Sequence, residues 1–244
     1  MGGLETPFGP IRTGKLFRTS VFAPKNRADE EFFRAMNLDA VVDFRTEAER
    51  KEKPDVLPEG VRGIHASVFD EEKVSALAPT EMSAKAILSM PDDQLDLIRA
   101  EIKNSYREMP FSDKFSEVFR LMDEGKTVAF HCTAGKDRTG MCACLIELSF
   151  GRTFDQCLEE YLASNLYREK ENAKINTLLK LSGTRKSVRE FVAEILKTHA
   201  FLFEEAKSAI LSSYENTDEF LREVHGITPD RKELWRRFYL ADRT

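Results

Sequence analysis

The sequence shows no long apolar run, no visible signal-peptide pattern and no strong charge of either sign, and each of these observations argues against a class of protein. Its 244 residues carry a formal net charge of -5, which argues against a general nucleic-acid or anionic-membrane binder. No apolar stretch approaches the roughly 20 residues of a membrane span, and the first residues lack a signal-peptide pattern. We therefore expect no nucleic-acid partner, no integral membrane segment and a cytoplasmic location, with export by a route without a cleaved signal left open.

Cysteine is scarce, and its spacing excludes two further classes. The four cysteines include no C-x-x-C pair and show no disulfide framework. A zinc site built from His131, Cys132, Cys142 and Cys144 is excluded, because Cys142 and Cys144 lie two apart on a predicted helix and point to different faces. We predict no metal and no cofactor. Internal repeats and low-complexity linkers are also absent, which favours a single domain over residues 1–244.

The most informative segment is His131–Gly140, which reads HCTAGKDRTG. The apolar residues 127–130 before it predict a short buried strand, and residues 141–148 after it predict a buried helix that ends near Gly151. The segment therefore leads from a strand into a helix N-terminus. Unpaired backbone N–H groups and the helix dipole make such a junction a binding site for a phosphate group.

Each position in this segment predicts a role. Cys132 opens the loop, where the dipoles and the Arg138 charge can lower a cysteine pKa from roughly 8.5 to about 3.5–7.5, so that it becomes a nucleophilic thiolate. The Arg138 fork can bind two phosphate oxygens, in the substrate and in the transition state. Thr139 can donate a hydrogen bond to the sulfur, and His131 can orient the cysteine. The predicted phosphate-binding residues are Thr133, Ala134, Gly135, Lys136 and Thr139.

Three other interpretations fit this segment less well. A nucleotide-binding P-loop requires G-x-x-x-x-G-K-[ST], but Phe130 replaces the first glycine and Asp137 replaces the Ser or Thr. A sulfurtransferase loop usually has fewer residues between its cysteine and its basic end. The remaining alternative is a buried structural cysteine beside a solvated Lys-Asp-Arg run, which the complete spacing disfavours.

These residues resemble the cysteine-dependent protein tyrosine phosphatase superfamily, whose signature is H-C-x5-R-[ST]. The G-K-D-R version is similar to a branch of bacterial and fungal tyrosine phosphatases that includes the mycobacterial secreted B type. Residues 12–20, 41–47 and 214–240 resemble further segments of that branch. The branch usually opens with N-x-R-D-x-G-G, whereas this chain opens with Met1-Gly2-Gly3, which leaves open whether the native start lies upstream.

The resemblance implies a phosphomonoester hydrolase that forms a phosphocysteine and releases inorganic phosphate. It implies phosphotyrosine proteins as substrates, with dual specificity or phosphoinositide hydrolysis as further activities, and Lys136 favours substrates with several phosphates. For the general acid we prefer Asp137, as the branch suggests, and Asp70 on a separate loop is the alternative. A catalytically silent phosphate-binding module is the alternative function.

The wider pattern predicts an α/β fold with a mostly parallel central sheet flanked by helices, as in tyrosine and dual-specificity phosphatases. We predict strands at 39–44, 61–67 and 126–131, each rich in Val, Ile or Phe. Capping boxes predict helix starts at Thr46-x-x-Glu49, Thr153-x-x-Gln156 and Ser187-x-x-Glu190.

Two regions and one residue group complete the predictions. Residues 79–109 carry two amphipathic stripes and form an insertion that is either a helical lid over the loop or a simple part of the core packing. Residues 186–244 form a helical C-terminal part. Arg18, Asp43 and Arg45 lie in the matched segments, and we predict that they form a buried ion-pair network that supports the loop.

Overall fold

A parallel four-stranded sheet forms the centre of the protein in a computed structural model that describes residues 1–69 and 84–242. Its strands are β1 (Leu16–Thr19), β2 (Ala40–Asp43), β3 (Arg62–His65) and β4 (Val128–His131). They lie in the order β1-β4-β2-β3, with every neighbouring pair parallel. The predicted α/β class with a parallel sheet is confirmed, and the three predicted strands are found within their expected ranges. β1 was not predicted.

Helices precede, connect and follow the strands. In chain order they are α1 (Arg27–Ala35), α2 (Glu47–Glu52), α3 (Ala84–Ser89), α4 (Asp92–Glu108), α5 (Ser116–Asp123), α6 (Asp137–Ser149), α7 (Phe154–Leu181), α8 (Lys186–Ile195), α9 (Ala200–Ser213), α10 (Thr217–His225) and α11 (Pro229–Tyr239). Two short 3-10 helices, Met109–Phe111 and Asp113–Phe115, join α4 to α5. Residues 186–242 are thus mainly helical, in line with the predicted C-terminal part.

The two central strands, β2 and β4, are buried on both faces, and their side chains alternate between two clusters of apolar residues. Val42 and Phe130 pack into the main core with the C-terminal helices. Val41 and Ala129 point to the opposite face, where they pack beneath α1. Continuous apolar strands of this kind are typical of parallel sheets covered on both sides.

Helix α6 runs through the main core and carries the functional loop at its N-terminus. Every residue from Arg138 to Ser149 is buried, since the helix packs against the sheet on one side and α7 and α10 on others. A helix that is apolar all round belongs in a core. The loop therefore begins a rigid, fully packed element.

Two of the three predicted capping boxes are present. The Thr46 side chain accepts from the Glu49 amide and Glu49 reciprocates, and Thr153 and Gln156 form the same arrangement. The box at Ser187 was wrong. Helix α8 begins two residues earlier, with Arg185 in place of Ser187 at the cap position, and the Ser187 hydroxyl instead donates to Asp92 at the start of α4. A tertiary partner therefore replaces the local cap.

The described part of the predicted insertion, residues 84–109, contains the two expected helices, α3 and α4. Residues 79–83 lie outside the described residues. Ile87 of α3 and Ile98 of α4 do not join the main core; they pack with Val188 and Phe191 of α8 in a separate cluster. At its other end, α4 returns to the main core through Tyr106. The insertion thus packs mainly against two helices of the C-terminal part, α8 and α9.

Hydrogen bonds to the partly buried Asp123 anchor the last helix, α11, and they give a prediction about stability. Asp123 accepts from the Trp235 indole at 2.7 Å and from Arg231 Nε at 2.7 Å. Asp123→Ala leaves the fully buried indole N–H without this partner, so we expect the free energy of unfolding to fall by about 1–3 kcal/mol. Urea denaturation measures this value. The exposed Asp113→Ala control should change it by less than about 0.5 kcal/mol, and equal losses in the two variants would contradict the proposed anchor.

Candidate active site

The predicted loop lies at the carboxyl end of β4, between the ends of β1 and β2. The strand ends at His131, the loop spans residues 132–136, and α6 begins at Asp137. Gly135 has a φ of 71°, and a Cβ there would collide with the backbone of Thr19, so the turn requires glycine. Arg18 of β1 fixes the turn by donating to the Gly135 carbonyl at 3.0 Å and the Lys136 carbonyl at 3.2 Å.

Cys132 lies at the base of this loop, and its surroundings favour the thiolate. Its side chain is almost fully buried. Burial by itself would raise the pKa of Cys132, but the Arg138 charge and the Thr139 hydroxyl and amide outweigh burial and lower the pKa from its ordinary value. The Thr139 hydroxyl is buried and has no nitrogen or oxygen partner among the described residues. Its proton is therefore available to the sulfur.

Arg138 is oriented by Glu49, which reaches the loop from α2. The two side chains form a bidentate ion pair, with distances of 2.6 Å from Nη1 to Oε2 and 2.7 Å from Nη2 to Oε1. Thr133 of the loop also donates to the same carboxylate. Burial favours neutral Glu49, but hydrogen bonds from Arg138 and Thr133 and the Arg138 charge lower its pKa to about 2. The carboxylate is therefore ionised and holds the guanidinium in one orientation.

The buried His131 ring lies between the Cys132 backbone and the carboxylate of Asp55. One ring nitrogen, Nδ1, lies 3.0 Å from the Cys132 carbonyl, and Nε2 lies 3.2 Å from a carboxylate oxygen of Asp55. Burial lowers the pKa of His131, but Asp55 and Asp43 outweigh burial and raise it above its ordinary value. A charged imidazole here would add to the positive field behind the sulfur.

The carboxylates beside His131 do not fit a metal centre. Potential ligand atoms of Asp43, Asp55 and His131 lie within 4.8 Å of one another. The Arg45 guanidinium occupies the space between the two acids, 2.8 Å from Asp43 and 2.7 Å from Asp55. A divalent ion would have to displace this cation. The predicted Asp43–Arg45 ion pair is present, whereas Arg18 binds loop carbonyls and Ser164 instead.

Asp137, the first residue of α6, is held by three donors from three parts of the chain. Lys136 Nζ lies 2.7 Å from its Oδ2. The phenols of Tyr106 from α4 and Tyr161 from α7 both donate to its Oδ1, the second at 3.3 Å. Burial would raise the pKa of Asp137, but Lys136, Tyr106 and the Arg138 charge lower it from its ordinary value. Without substrate, Asp137 is therefore a carboxylate.

A cavity of about 700 Å³ opens above the loop. Its floor includes Cys132 and Arg138, and its walls include Phe69, Ile102 from α4 and Ile195 from α8. The Phe69 ring packs over the Arg138 guanidinium at 5.0 Å. A cavity of this size, with few polar groups at one end, is typical of a site that binds a small organic group.

The structure brings most of the predicted site residues into one place. Residues that line the cavity are Cys132, Thr133, Ala134, Lys136, Asp137 and Arg138. Gly135, Thr139 and His131 support the loop from behind. Asp70, the alternative acid, lies outside the described residues.

Sequence reasoning missed the roles of four residues at the site. Glu49 was identified only as a capping residue, Tyr106 only as part of an amphipathic stripe, and Asp55 and Tyr161 not at all. The one available signal was the position of Glu49 in the segment that follows Asp43 and Arg45. The tyrosines meet Asp137 across separations of 31 and 24 residues, which no local pattern reveals.

Proteins with similar sequences identify the family of this chain. No helix within residues 1–69 or 84–242 has the length and apolar composition needed to cross a bilayer. A Cupriavidus necator protein assigned by name to the tyrosine-protein phosphatases is 29% identical over 229 residues, which are 92% of this chain and 79% of that protein.

Two further relatives are similar over shorter regions. The triple specificity protein phosphatase PtpB of Mycobacterium tuberculosis is 27% identical over 173 residues, covering 64% of this chain and 62% of its own. A tyrosine-protein phosphatase of Nostoc commune is 30% identical over 155 residues, covering 62% and 49%. A sequence model of the tyrosine phosphatase family matches residues 1–241. With a matching sequence over nearly its whole length, this chain belongs to the tyrosine phosphatase family.

Proposed function

We propose that the protein hydrolyses phosphotyrosine in proteins through a phosphocysteine intermediate, with Cys132 as the nucleophile. The observation that carries the proposal is the buried Cys132 at a helix N-terminus, with its pKa lowered beside an arginine that Glu49 orients. The family match over residues 1–241 supports one phosphatase domain. A reducing compartment such as the cytoplasm suits a reaction that depends on a reduced thiol.

In the first step the Cys132 sulfur attacks phosphorus in line, so that an S–P bond forms and the bond from phosphorus to the tyrosine oxygen breaks. The loop amides and Arg138 bind the three non-bridging oxygens, whose charge they stabilise in the transition state. The leaving oxygen takes a proton from Asp137. Asp137 is ionised in the free protein, but a bound phosphate dianion raises the pKa of a neighbouring carboxyl group and favours its protonated form.

In the second step water attacks phosphorus, the P–S bond breaks and inorganic phosphate leaves. The Asp137 carboxylate accepts the proton of the water, which suits a group whose pKa is low when no dianion is bound. Thr139 donates to the departing thiolate and stabilises it. In both steps the loop amides, Arg138 and Thr139 supply the stabilising groups and Asp137 transfers the proton. The proposed mechanism therefore uses no metal and no cofactor.

The substrate range rests on the cavity and on the relatives. The wide, largely apolar cavity accommodates an aryl phosphate, which supports phosphotyrosine as the main substrate. The name of the M. tuberculosis relative states triple specificity, which supports a substrate range wider than phosphotyrosine, as in the predicted dual specificity. Phosphoinositide hydrolysis stays a prediction from the Lys136 charge. That charge is partly neutralised by Asp137 at 2.7 Å, which weakens the argument for a second phosphate.

The nucleophile is tested by Cys132→Ser, which removes the thiolate but keeps the phosphate-binding loop and Arg138. We expect phosphate release from 4-nitrophenyl phosphate to fall on the order of 10⁵-fold, while phosphate binding, measured by calorimetry, persists. Cys142→Ala, on the helix that follows the loop, is the control, because burial raises the pKa of Cys142 and the thiol is unreactive. Full activity in Cys132→Ser would refute the mechanism. Binding without turnover in the unaltered protein would establish the silent module instead.

The role of Glu49 gives a second test. Glu49→Gln weakens the bidentate grip on Arg138, so we expect kcat to fall about 10²-fold through misplacement of the guanidinium. Glu52→Gln, on the exposed side of the same helix, should retain wild-type kcat. Because the folded-state pKa of Glu49 is depressed to about 2, its contribution to stability is present above about pH 5 and is lost as the pH falls toward 2. The stability difference between wild type and Glu49→Gln should shrink over that range, and a pH-independent difference would contradict this assignment.

The general acid is tested by pH–rate profiles of Asp137→Asn and Asp70→Asn. If Asp137 protonates the leaving group, Asp137→Asn removes the basic limb of the kcat/KM profile and Asp70→Asn retains it. The kcat/KM of Asp137→Asn should fall less for 4-nitrophenyl phosphate, which has a good leaving group, than for phenyl phosphate. Loss of the limb in Asp70→Asn alone would transfer the role to Asp70.

A further inference from the structure

Two buried tyrosines meet at one oxygen of Asp137. Tyr106 is 3% exposed and Tyr161 is 1% exposed. Tyr106 donates to Asp137 Oδ1, and the single phenol proton of Tyr161 is shared between Oδ1 and the Tyr106 oxygen, which lies 2.5 Å away. The three oxygens thus form a closely packed triangle at the N-terminus of α6. Tyr106 and Tyr161 are separated from Asp137 by 31 and 24 residues in the sequence, so only the fold brings the three side chains together.

The triangle makes the two oxygens of Asp137 chemically different. Oδ1 is occupied by phenols within the packed protein, whereas Oδ2 faces Lys136, whose ammonium group lies 2.7 Å away. Lys136 and Asp137 both line the cavity above Cys132. Oδ2 is therefore the oxygen placed to exchange a proton with a group bound in that cavity.

We propose that Tyr106 and Tyr161 are positioning residues for proton transfer: they fix Asp137 Oδ1 so that Oδ2 serves as the acid and base atom. The inference rests on the proposed function, in which Asp137 is the general acid. In the first step the proton passes from Oδ2 to the leaving oxygen, and in the second it passes from water to Oδ2. The phenols keep their own protons throughout, since burial and the Asp137 charge raise the pKa of both tyrosines.

The phenols also influence the protonation of Asp137. The titratable and charged groups around the triangle come from the loop, α6, α4, α7 and β1. They are Cys132, Lys136, Arg138, Tyr106, Tyr161 and Arg18. Lysine and arginine lower the pKa of Asp137 through charge, and Tyr106 lowers it by donating to the ionised form. Removing one phenol therefore raises the pKa of Asp137 and leaves the charges in place.

The position of Tyr106 makes helix α4 part of this arrangement. The helix is joined to the C-terminal helices by ion pairs from Arg99 to Glu194 at 2.9 Å and from Lys103 and Arg107 to Glu205 at 2.7 and 2.6 Å. Tyr106 lies in the last turn of the same helix. The packing of α4 against α8 and α9 therefore also fixes the phenol that holds Asp137.

The test compares aryl phosphates whose leaving groups differ in basicity, using Tyr106→Phe and Tyr161→Phe. Each variant keeps the ring and loses only the hydroxyl. We expect kcat/KM for phenyl phosphate, a poor leaving group, to fall about 10–100-fold, and that for 4-nitrophenyl phosphate to fall less than about 3-fold. The basic limb of the pH profile should move to higher pH, because the ionised carboxylate has lost a donor. Tyr167→Phe, 86% exposed on α7, is the control and should match wild type in both readouts.

Three outcomes separate this inference from the proposed function. Combining Tyr106→Phe with Asp137→Asn should cost little more than Asp137→Asn alone, because both changes act on one proton transfer. If Asp137→Asn is sensitive to the leaving group but neither tyrosine variant is, the inference fails and the proposed function stands. If Asp137→Asn is itself insensitive, the acid assignment fails and the inference fails with it.

A purely structural role for the tyrosines would show a different result. It would lower activity equally for all leaving groups and leave the pH limb in place, which would overturn the inference. Thermal unfolding and titration of the reactive thiol with iodoacetate give the folded, active fraction of each variant. If Tyr161→Phe does not fold, Tyr106→Phe decides the question.

Discussion

The buried ion pair between Arg138 and Glu49 is the interaction on which the rest of the site depends. It joins α2, after the second strand, to the first turn of α6, after the fourth. Arg138 must be desolvated to act on a buried sulfur, and an unpaired buried cation would cost several kcal/mol, on the order of 3–5. Glu49 removes that cost and at the same time fixes the direction of the fork. One carboxylate thus serves both stability and the geometry of phosphate binding.

Other cations near the loop are also paired with carboxylates. Arg45 is neutralised by Asp43 and Asp55, and Lys136 by Asp137. The sulfur itself is the exception, since its charge is met by amide dipoles, Thr139 and an arginine that already has a partner. In the proposed mechanism, a phosphate dianion therefore binds to loop amides and to cations that already have carboxylate partners. These partners hold Arg138 and Lys136 in fixed positions.

The sequence predicted those features that depend on neighbouring residues. Cys132, Gly135 and Arg138 could be assigned because one short segment contains them, and strands such as β2 and β4 could be placed because each has three apolar residues in a row. β1 was missed because Arg18 interrupts its apolar pattern, and that arginine is there to bind loop carbonyls. The Ser187 cap failed because Asp92, 95 residues away, competes for the hydroxyl. Tertiary partners decided each of these cases.

The phenols beside Asp137 show why the acid was the hardest role to assign. A carboxylate at the first position of a helix is a common N-terminal preference, so its residue type carries little information. Its chemistry depends on which oxygen is free and on how many donors the other receives, and these donors come from α4 and α7. Since α4 also lines the cavity through Ile102, the proposed mechanism gives this helix two roles: it borders the bound substrate and it orients Asp137. In that mechanism substrate binding and proton transfer are connected through one helix.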